Sequence, residues 1–214
     1  MKINSILFDL DNTIYPESDY FLQVITEFCQ IEHLDFHRFD FLFRDFDSIR
    51  FGQSNIFQYI LVECNEYTDK RQELLFNLYT SIETTLKPYP GIQEWLDDCR
   101  SKSIQIGILT NGIIGAQNNK WKCLDMDKSE IIFHPSRSIG KDKPDPATFE
   151  KFMAISGFEV KNTLFVGDRF KNDLEFGYTA GAPCCLIGST SDKVPYFQDQ
   201  KTAFTYFQTE FIEN

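Results

Sequence analysis

The chain carries no run of roughly 18 consecutive apolar residues, so no segment reads as a membrane-spanning helix. It has no Cys-x-x-Cys pair. Its six cysteines, Cys29, Cys64, Cys99, Cys123, Cys184 and Cys185, lack the spacing of a structural zinc site. Cys184 and Cys185 are adjacent in an apolar run, which suits buried free thiols better than a disulfide framework. Positive charge is scarce: 21 Lys and Arg stand against 32 Asp and Glu, a formal net charge of −11. Such a chain repels nucleic-acid backbones and anionic membranes, so neither is expected as a partner. An anionic substrate then needs a local positive charge or a metal ion. The opening apolar stretch is broken at once by Asp9 and reads as a strand, not a signal peptide, so a reduced cytoplasm is the expected location. There is no internal repeat or low-complexity run. With 42% hydrophobic and 25% charged residues over 214 positions, collagen, coiled coil and wholesale disorder are excluded. One domain, or one domain with a large insertion, remains. Phe, by contrast, is abundant at 22 residues, enough for a sizeable aromatic core.

Five short apolar runs read as buried strands: Ile6 to Phe8, Ile104 to Leu109, Glu130 to Phe133, Thr163 to Val166 and Pro183 to Ile187. Helical spacing lies between them. Ile92, Trp95, Leu96 and Cys99 mark one helix within Gly91 to Ser103, and Phe149, Phe152 and Met153 mark another within Pro146 to Ser156. The second has Asp145 as a plausible N-cap, Pro146 at its first position and Gly157 as its stop. A short helix is expected from Leu174 to near Gly181. Strands alternating with helices imply an α/β fold, a parallel sheet covered on both faces. Residues 15–87 differ: strong in Phe and without strand alternation, they suit helices over Tyr20 to Ile31, Asn55 to Cys64 and Lys70 to Leu86. Tyr89-Pro90-Gly91 marks the return to the alternating pattern. The expected organisation is a core of residues 1–14 and 88–214 with a helical subdomain, 15–87, inserted after the first strand. The tail after Gly188 fits no clear element.

The chemistry-bearing residues sit at the expected strand ends. Asp9 and Asp11 follow the first strand two residues apart, where extended chain projects both to one side. Paired carboxylates there can divide nucleophile from acid/base or hold a hard cation, although Asp-x-Asp-Asn-Thr is also ordinary turn chemistry. Thr110-Asn111-Gly112 ends the second strand with a hydroxyl and free backbone N–H groups that suit an anionic oxygen, or simply a turn. Lys143 stands just before a helix start, either a point charge for phosphate or a solvated lysine. Gly167-Asp168 ends another strand, and Asp173 follows as a further carboxylate or an N-cap for the helix at Leu174.

Taken in order, Asp9-x-Asp11-x-Thr13, Thr110-Asn111, Lys143-Pro144 and Gly167-Asp168 with Asp173 resemble the four motifs of the haloacid dehalogenase-like hydrolases. The resemblance covers nearly the whole chain. It implies a Rossmann-like core whose helical insertion is a cap. It further implies that Asp9 is a nucleophile forming an aspartyl phosphate, and that Asp11 is the acid that protonates the leaving oxygen and then the base that activates water. Thr110, with Asn111, would bind the phosphoryl oxygens and Lys143 would neutralise their charge. Asp9, the backbone carbonyl of Asp11, and Asp168 would hold Mg²⁺, with Asp173 ligating or supporting it. The family's true dehalogenases lack the second Asp, so Asp11 favours phosphoryl chemistry over C–Cl cleavage. The implied activity is hydrolysis of a small phosphorylated metabolite, a nucleoside monophosphate or a sugar phosphate. A phosphotransferase and a non-catalytic phosphometabolite-binding protein are the alternatives.

Arg169, where the family often has a small or acidic residue, receives no role. His33 and His37 are spaced i, i+4, but no Glu-x-x-His signature accompanies them and packing is the expected use. Phe36, Phe39, Phe41, Phe43, Phe46 and Phe51 read as the core of the inserted subdomain rather than a substrate pocket. Tyr15 and Glu17 are expected to line the entrance to the site.

Overall fold

The computed structural model describes residues 3–212. Six strands, β1 (Ser5–Phe8), β2 (Gln105–Thr110), β3 (Ile131–Pro135), β4 (Thr163–Gly167), β5 (Cys184–Ile187) and β6 (Tyr196–Phe197), form one parallel sheet in the order β3-β2-β1-β4-β5-β6. The first five lie within a residue or two of the expected runs. The sixth is two residues long and falls in the tail that the sequence left unplaced.

Alternation along the strands explains why they read as continuous apolar runs. Ile6 and Phe8 of β1 pack to one face, Leu7 to the other. Leu164 and Val166 of β4 flank Phe165 in the same way, and Cys185 and Ile187 of β5 alternate with Cys184 and Leu186. Both faces are therefore covered, as a parallel sheet requires. On the first face lie helix α6 (Ile92–Ser101) and helix α11 (Gln200–Phe207), with Trp95 edge-on to Phe8 at 5.1 Å and 5.5 Å from Phe207. On the second lie α9 (Pro146–Ser156) and the short α10 (Glu175–Thr179). The α9 boundaries are those the sequence implies: Asp145 accepts a hydrogen bond from the Ala147 N–H, and Gly157 ends the helix at φ 74°.

Between β1 and Tyr89 the chain forms five helices: α1 (Glu17–Glu32), α2 (Asp40–Arg44), α3 (Phe46–Gly52), α4 (Ile56–Glu63) and α5 (Asp69–Ser81). The two ends of this insert meet where the Tyr89 N–H donates to the Ile14 carbonyl at 2.8 Å. The Phe-rich run folds into α2, α3 and the 3-10 turn before them. Phe39 and Phe46 are buried and Phe36, Phe41 and Phe43 pack against them, whereas Phe51 is exposed at the site described below. His33 ends α1 in a left-handed conformation and His37 is an exposed partner of Asp40. One apolar cluster runs without a break from the insert into the first face of the sheet.

Two expectations need correcting, and one helix was not foreseen. Helix α5 stops at Ser81, not Leu86, because Leu86 leaves the helix to bond Cys123 and Asp125 across the molecule. Helix α7 (Ile114–Cys123) was not anticipated, because four polar residues, Gln117 to Lys120, interrupt its apolar spacing. Asp173 does not cap a helix at Leu174; it lies inside a π-helical turn, Phe170–Leu174, that leads into α10. The short helix α8 (Ser136–Ile139) completes the β3-to-α9 connection. Among the described residues no helix is long and apolar enough to cross a membrane.

Candidate active site

Strand β1 is central, and its neighbours β2 and β4 run two residues and one residue past the level of its last residue, Phe8. In an open parallel sheet the crevice beyond these carboxyl ends, where strand order reverses, is the place for a ligand. Asp9 follows β1, Thr110 ends β2, and Asp168 follows β4. These three share a cavity of about 190 Å³ with Asp11, Asn111, Lys143 and Asp173, so the crevice gathers every candidate site residue.

Lys143 is buried and donates from Nζ to Asp9 Oδ1 and to Asp173 Oδ1, both at 2.6 Å. Asn111 fixes that lysine. Its Oδ1 accepts from the Lys143 N–H at 2.6 Å, and its Nδ2 donates to the Lys143 carbonyl at 2.8 Å. Both ends of the Asn111 amide are thus committed to the backbone of Lys143. Asp173 is held from its other side as well, since Oδ2 accepts the Arg169 N–H at 3.0 Å. Its approach to the sheet depends on Gly167, where a Cβ would lie 2.4 Å from the Asp173 Cβ.

Asp9, Asp168 and Asp173 each offer a carboxylate oxygen, all within 4.8 Å of one another. Burial and the surrounding carboxylates push Asp9 well above its usual range, against the pull of Lys143. Burial and Asp173 raise Asp168 to about 7. Burial lowers the Lys143 pKa, but Asp173 and Asp9 outweigh it and hold the ammonium charged. One lysine against three close carboxylates leaves negative charge in excess, an all-oxygen setting that fits a small hard cation.

Asp11 faces the other way. Tyr15 Oη donates to its Oδ1 at 2.6 Å, Gln117 Nε2 to its Oδ2 at 2.8 Å, and Lys120 Nζ to both oxygens at 2.9 and 3.0 Å. Lys120 also donates to Glu17 Oε1 at 2.9 Å, and Arg50 reaches the same oxygen at 3.2 Å. Lys120 is fully buried, and its Nζ lies 5.4 and 5.3 Å from the ring centres of Tyr20 and Tyr79. Burial opposes the charge on Asp11, yet Lys120 and the donors from Tyr15 and Gln117 prevail and hold its carboxyl below the usual range. With its side chain so committed, Asp11 lies outside the group of three carboxylates. Gln117 Nε2 also donates to Thr110 Oγ1 at 2.5 Å, joining the ends of β1 and β2.

Sequence reasoning missed Gln117, Lys120 and Arg50. The only local signal was a buried Gln and Lys one turn apart on α7, visible once that helix is known. Glu17 lines the cavity as expected, but Tyr15 does not: it is wholly buried behind Asp11. Arg169 lies at the cavity wall, its guanidinium 3.2 Å from the ring centre of Phe51 in α3, so it joins the core to the insert.

The sequence profile of the haloacid dehalogenase-like hydrolases matches residues 6–187. The glyceraldehyde 3-phosphate phosphatase of Methanopyrus kandleri is 25% identical over 94% of this chain and 92% of its own length. The enzyme of the same name from Methanothermobacter thermautotrophicus is 28% identical over 49% of this chain, a match that spans about half (46%) of its length. Among solved structures, the hydrolase YfnB of Bacillus subtilis, described as bound to magnesium, superposes with a TM-score of 0.66 at 16% identity, over 97% of this chain and all (100%) of its own. The motif-bearing strand ends and the profile that spans them agree: this chain belongs to the haloacid dehalogenase-like hydrolases.

Proposed function

We propose that the protein is a Mg²⁺-dependent phosphatase acting on a small phosphorylated metabolite, a nucleoside monophosphate or a sugar phosphate, through an aspartyl-phosphate intermediate. The observation that carries this reading is Asp9, buried, fixed by Lys143 through one oxygen and clustered with Asp168 and Asp173. The phosphatase names of the relatives support it. So does Asp11, the residue that dehalogenases lack.

Asp9 would attack phosphorus through Oδ2, which accepts no protein hydrogen bond among the described residues, while Lys143 orients the carboxylate through Oδ1. The P–O bond to the alcohol breaks, and that oxygen takes a proton from Asp11. At rest Asp11 is held as a carboxylate; a phosphoryl dianion beside it opposes that lowering and favours the acid form the first step requires. In the second step the same carboxylate takes a proton from the water that attacks phosphorus, and Asp9 is released. Thr110, held by Gln117, and Lys143 would bind the phosphoryl oxygens. A divalent cation on Asp9, Asp168 and Asp173, with the Asp11 carbonyl, would supply the positive charge that offsets repulsion between carboxylate and phosphoryl dianion. The insert, 15–87, would act as a cap that excludes water.

The test is hydrolysis of acetyl phosphate and p-nitrophenyl phosphate with Mg²⁺, with EDTA, and with Asp9→Asn. Mg²⁺-dependent phosphate release that disappears in the variant is the expected result. Silence on these and on a panel of phosphometabolites would sink the reading.

A further inference from the structure

Helix α7 turns polar side chains inward where apolar ones would pack more cheaply. Gln117 and Lys120, one turn apart, are 1% and 0% exposed. Burying an ion pair seldom stabilises a fold, because desolvation offsets most of the attraction. A buried lysine here therefore needs another use, and fixing the geometry of a neighbour is such a use. Asn119, between the two, donates from Nδ2 to Tyr20 Oη at 2.9 Å and to the Ile82 carbonyl at 2.8 Å, which ties α7 to the insert.

Both buried side chains end on Asp11. Tyr15 gives its carboxylate one hydrogen bond, Gln117 one and Lys120 two, and a carboxylate has about four lone-pair positions. Its rotation is locked from behind, and the 18% of the side chain that stays exposed opens on the cavity of about 190 Å³. Lys120 is held in turn by Glu17 and lines no part of that cavity. The two catalytic carboxylates thus have separate lysines. Among the described residues, Lys143 pairs with Asp9 and Asp173, and Lys120 with Asp11 and Glu17. One serves the attacking carboxylate, the other the carboxylate that handles the leaving oxygen.

We propose that Lys120 is the positioning residue for Asp11. Without touching substrate, it aims Asp11 at the leaving oxygen in the first step and at the attacking water in the second. The inference rests on the phosphatase reading and adds a residue to it.

The proton balance supplies the test. In the first step the P–O bond breaks and the leaving oxygen takes the Asp11 proton; p-nitrophenolate departs without one, an alkoxide does not. In the second, the Asp11 carboxylate takes a proton from water whatever the ester was. The experiment measures kcat and kcat/KM with Mg²⁺ for p-nitrophenyl phosphate and for whichever of glycerol 3-phosphate, ribose 5-phosphate and cytidine 5′-monophosphate is turned over best. It uses wild type, Asp11→Asn, Lys120→Met, and Lys120→Met joined to Glu17→Gln, the last read against Glu17→Gln alone. The joined variant removes one charge of each sign, so the buried charges stay balanced where Lys120→Met by itself unfolds. Loss of the lysine should lower kcat/KM about a hundredfold for the alkyl ester and less than about threefold for p-nitrophenyl phosphate. For p-nitrophenyl phosphate kcat should still fall about tenfold, with KM falling alongside, because the aspartyl phosphate waits for its water. A burst of p-nitrophenol ahead of phosphate reports that wait. Asp11→Asn should show the same pattern, enlarged. A merely structural loss would lower kcat/KM equally on both esters. That result, or an unchanged kcat for p-nitrophenyl phosphate, overturns the inference and leaves the phosphatase reading standing. If p-nitrophenyl phosphate is the only ester accepted, the burst decides. A wild type silent on every ester, acetyl phosphate included, removes that reading and this inference with it.

Discussion

Lys143 and Lys120 are both buried, and each donates to two carboxylates, yet the two clusters are built differently. Around Lys120 the charges balance. Asp11 and Glu17 face Lys120 and Arg50, and neutral donors from Tyr15 and Gln117 complete the shell. Around Lys143 they do not. Asp9, Asp168 and Asp173 crowd one ammonium, and Arg169 reaches only the rim, 3.7 Å from Asp168. A balanced buried cluster fixes geometry, because each charge is already satisfied. An unbalanced one keeps a demand for positive charge, the demand that a cation would meet. The first holds Asp11 in place; the second is left open to a ligand.

The largest effect expected from this contrast is on turnover. Asp9→Asn should reduce phosphate release by about a thousandfold or more while leaving the fold intact, as read by steady-state assay alongside circular dichroism. A variant that keeps a tenth of the activity would remove Asp9 from the role proposed for it.

The next effect separates the clusters by stability. Lys120→Met leaves Asp11 and Glu17 buried without their main cation, a loss of about 3–5 kcal/mol in urea unfolding. Added Mg²⁺ should not restore it. Lys143→Met should also destabilise, but its loss should shrink when Mg²⁺ is added, because the same carboxylates accept either cation. Equal responses to Mg²⁺ would break the distinction between the two sites.

A smaller effect has the opposite sign. Asp168 is raised to about 7 by burial and Asp173. For a carboxyl raised in the folded state, the stabilising contribution is complete below the unfolded value near ~3.9 and is lost as pH rises through about 7. The protein in EDTA should therefore lose stability across that window, by on the order of 2 kcal/mol after allowance for partial solvation. Asp168→Asn should remove the loss and raise the melting temperature at pH 8 by roughly 4–8 °C, while reducing Mg²⁺-dependent activity. A melting temperature that falls would count against the charge excess.

The smallest expected effect concerns the link between core and insert. Phe51→Ala removes the ring beneath Arg169, worth about 0.5–1 kcal/mol at an exposed site. It should alter KM more than thermal stability. No change in KM would mean that the contact is incidental to the site.

The two clusters also differ in how far they could be read from the chain. Asp9, Lys143 and Asp168 each lie at a strand end or just before a helix, and their order along the sequence, with Asp173, follows a family's motifs. Asp11 was legible for the same reason. Its partners were not. Lys120 lies 109 residues from Asp11 and 103 from Glu17, on a helix whose weak apolar pattern hid it. Tyr15 was expected at an entrance because it begins the insert, but its hydroxyl turns inward to Asp11. Asp173 showed why local rules fall short. Its spacing suited an N-cap, but its carboxylate accepts instead from Lys143 Nζ and the Arg169 N–H, close against Gly167.

The sequence by itself determined the alternating strands, the helical insert and the carboxylates at the strand ends, because periodicity and short motifs are properties of neighbouring residues. Tertiary structure decided which lysine meets which acids and where charge is left unbalanced. These depend on contacts between residues far apart in the chain, where burial strengthens each charge and distance alone sets the partner.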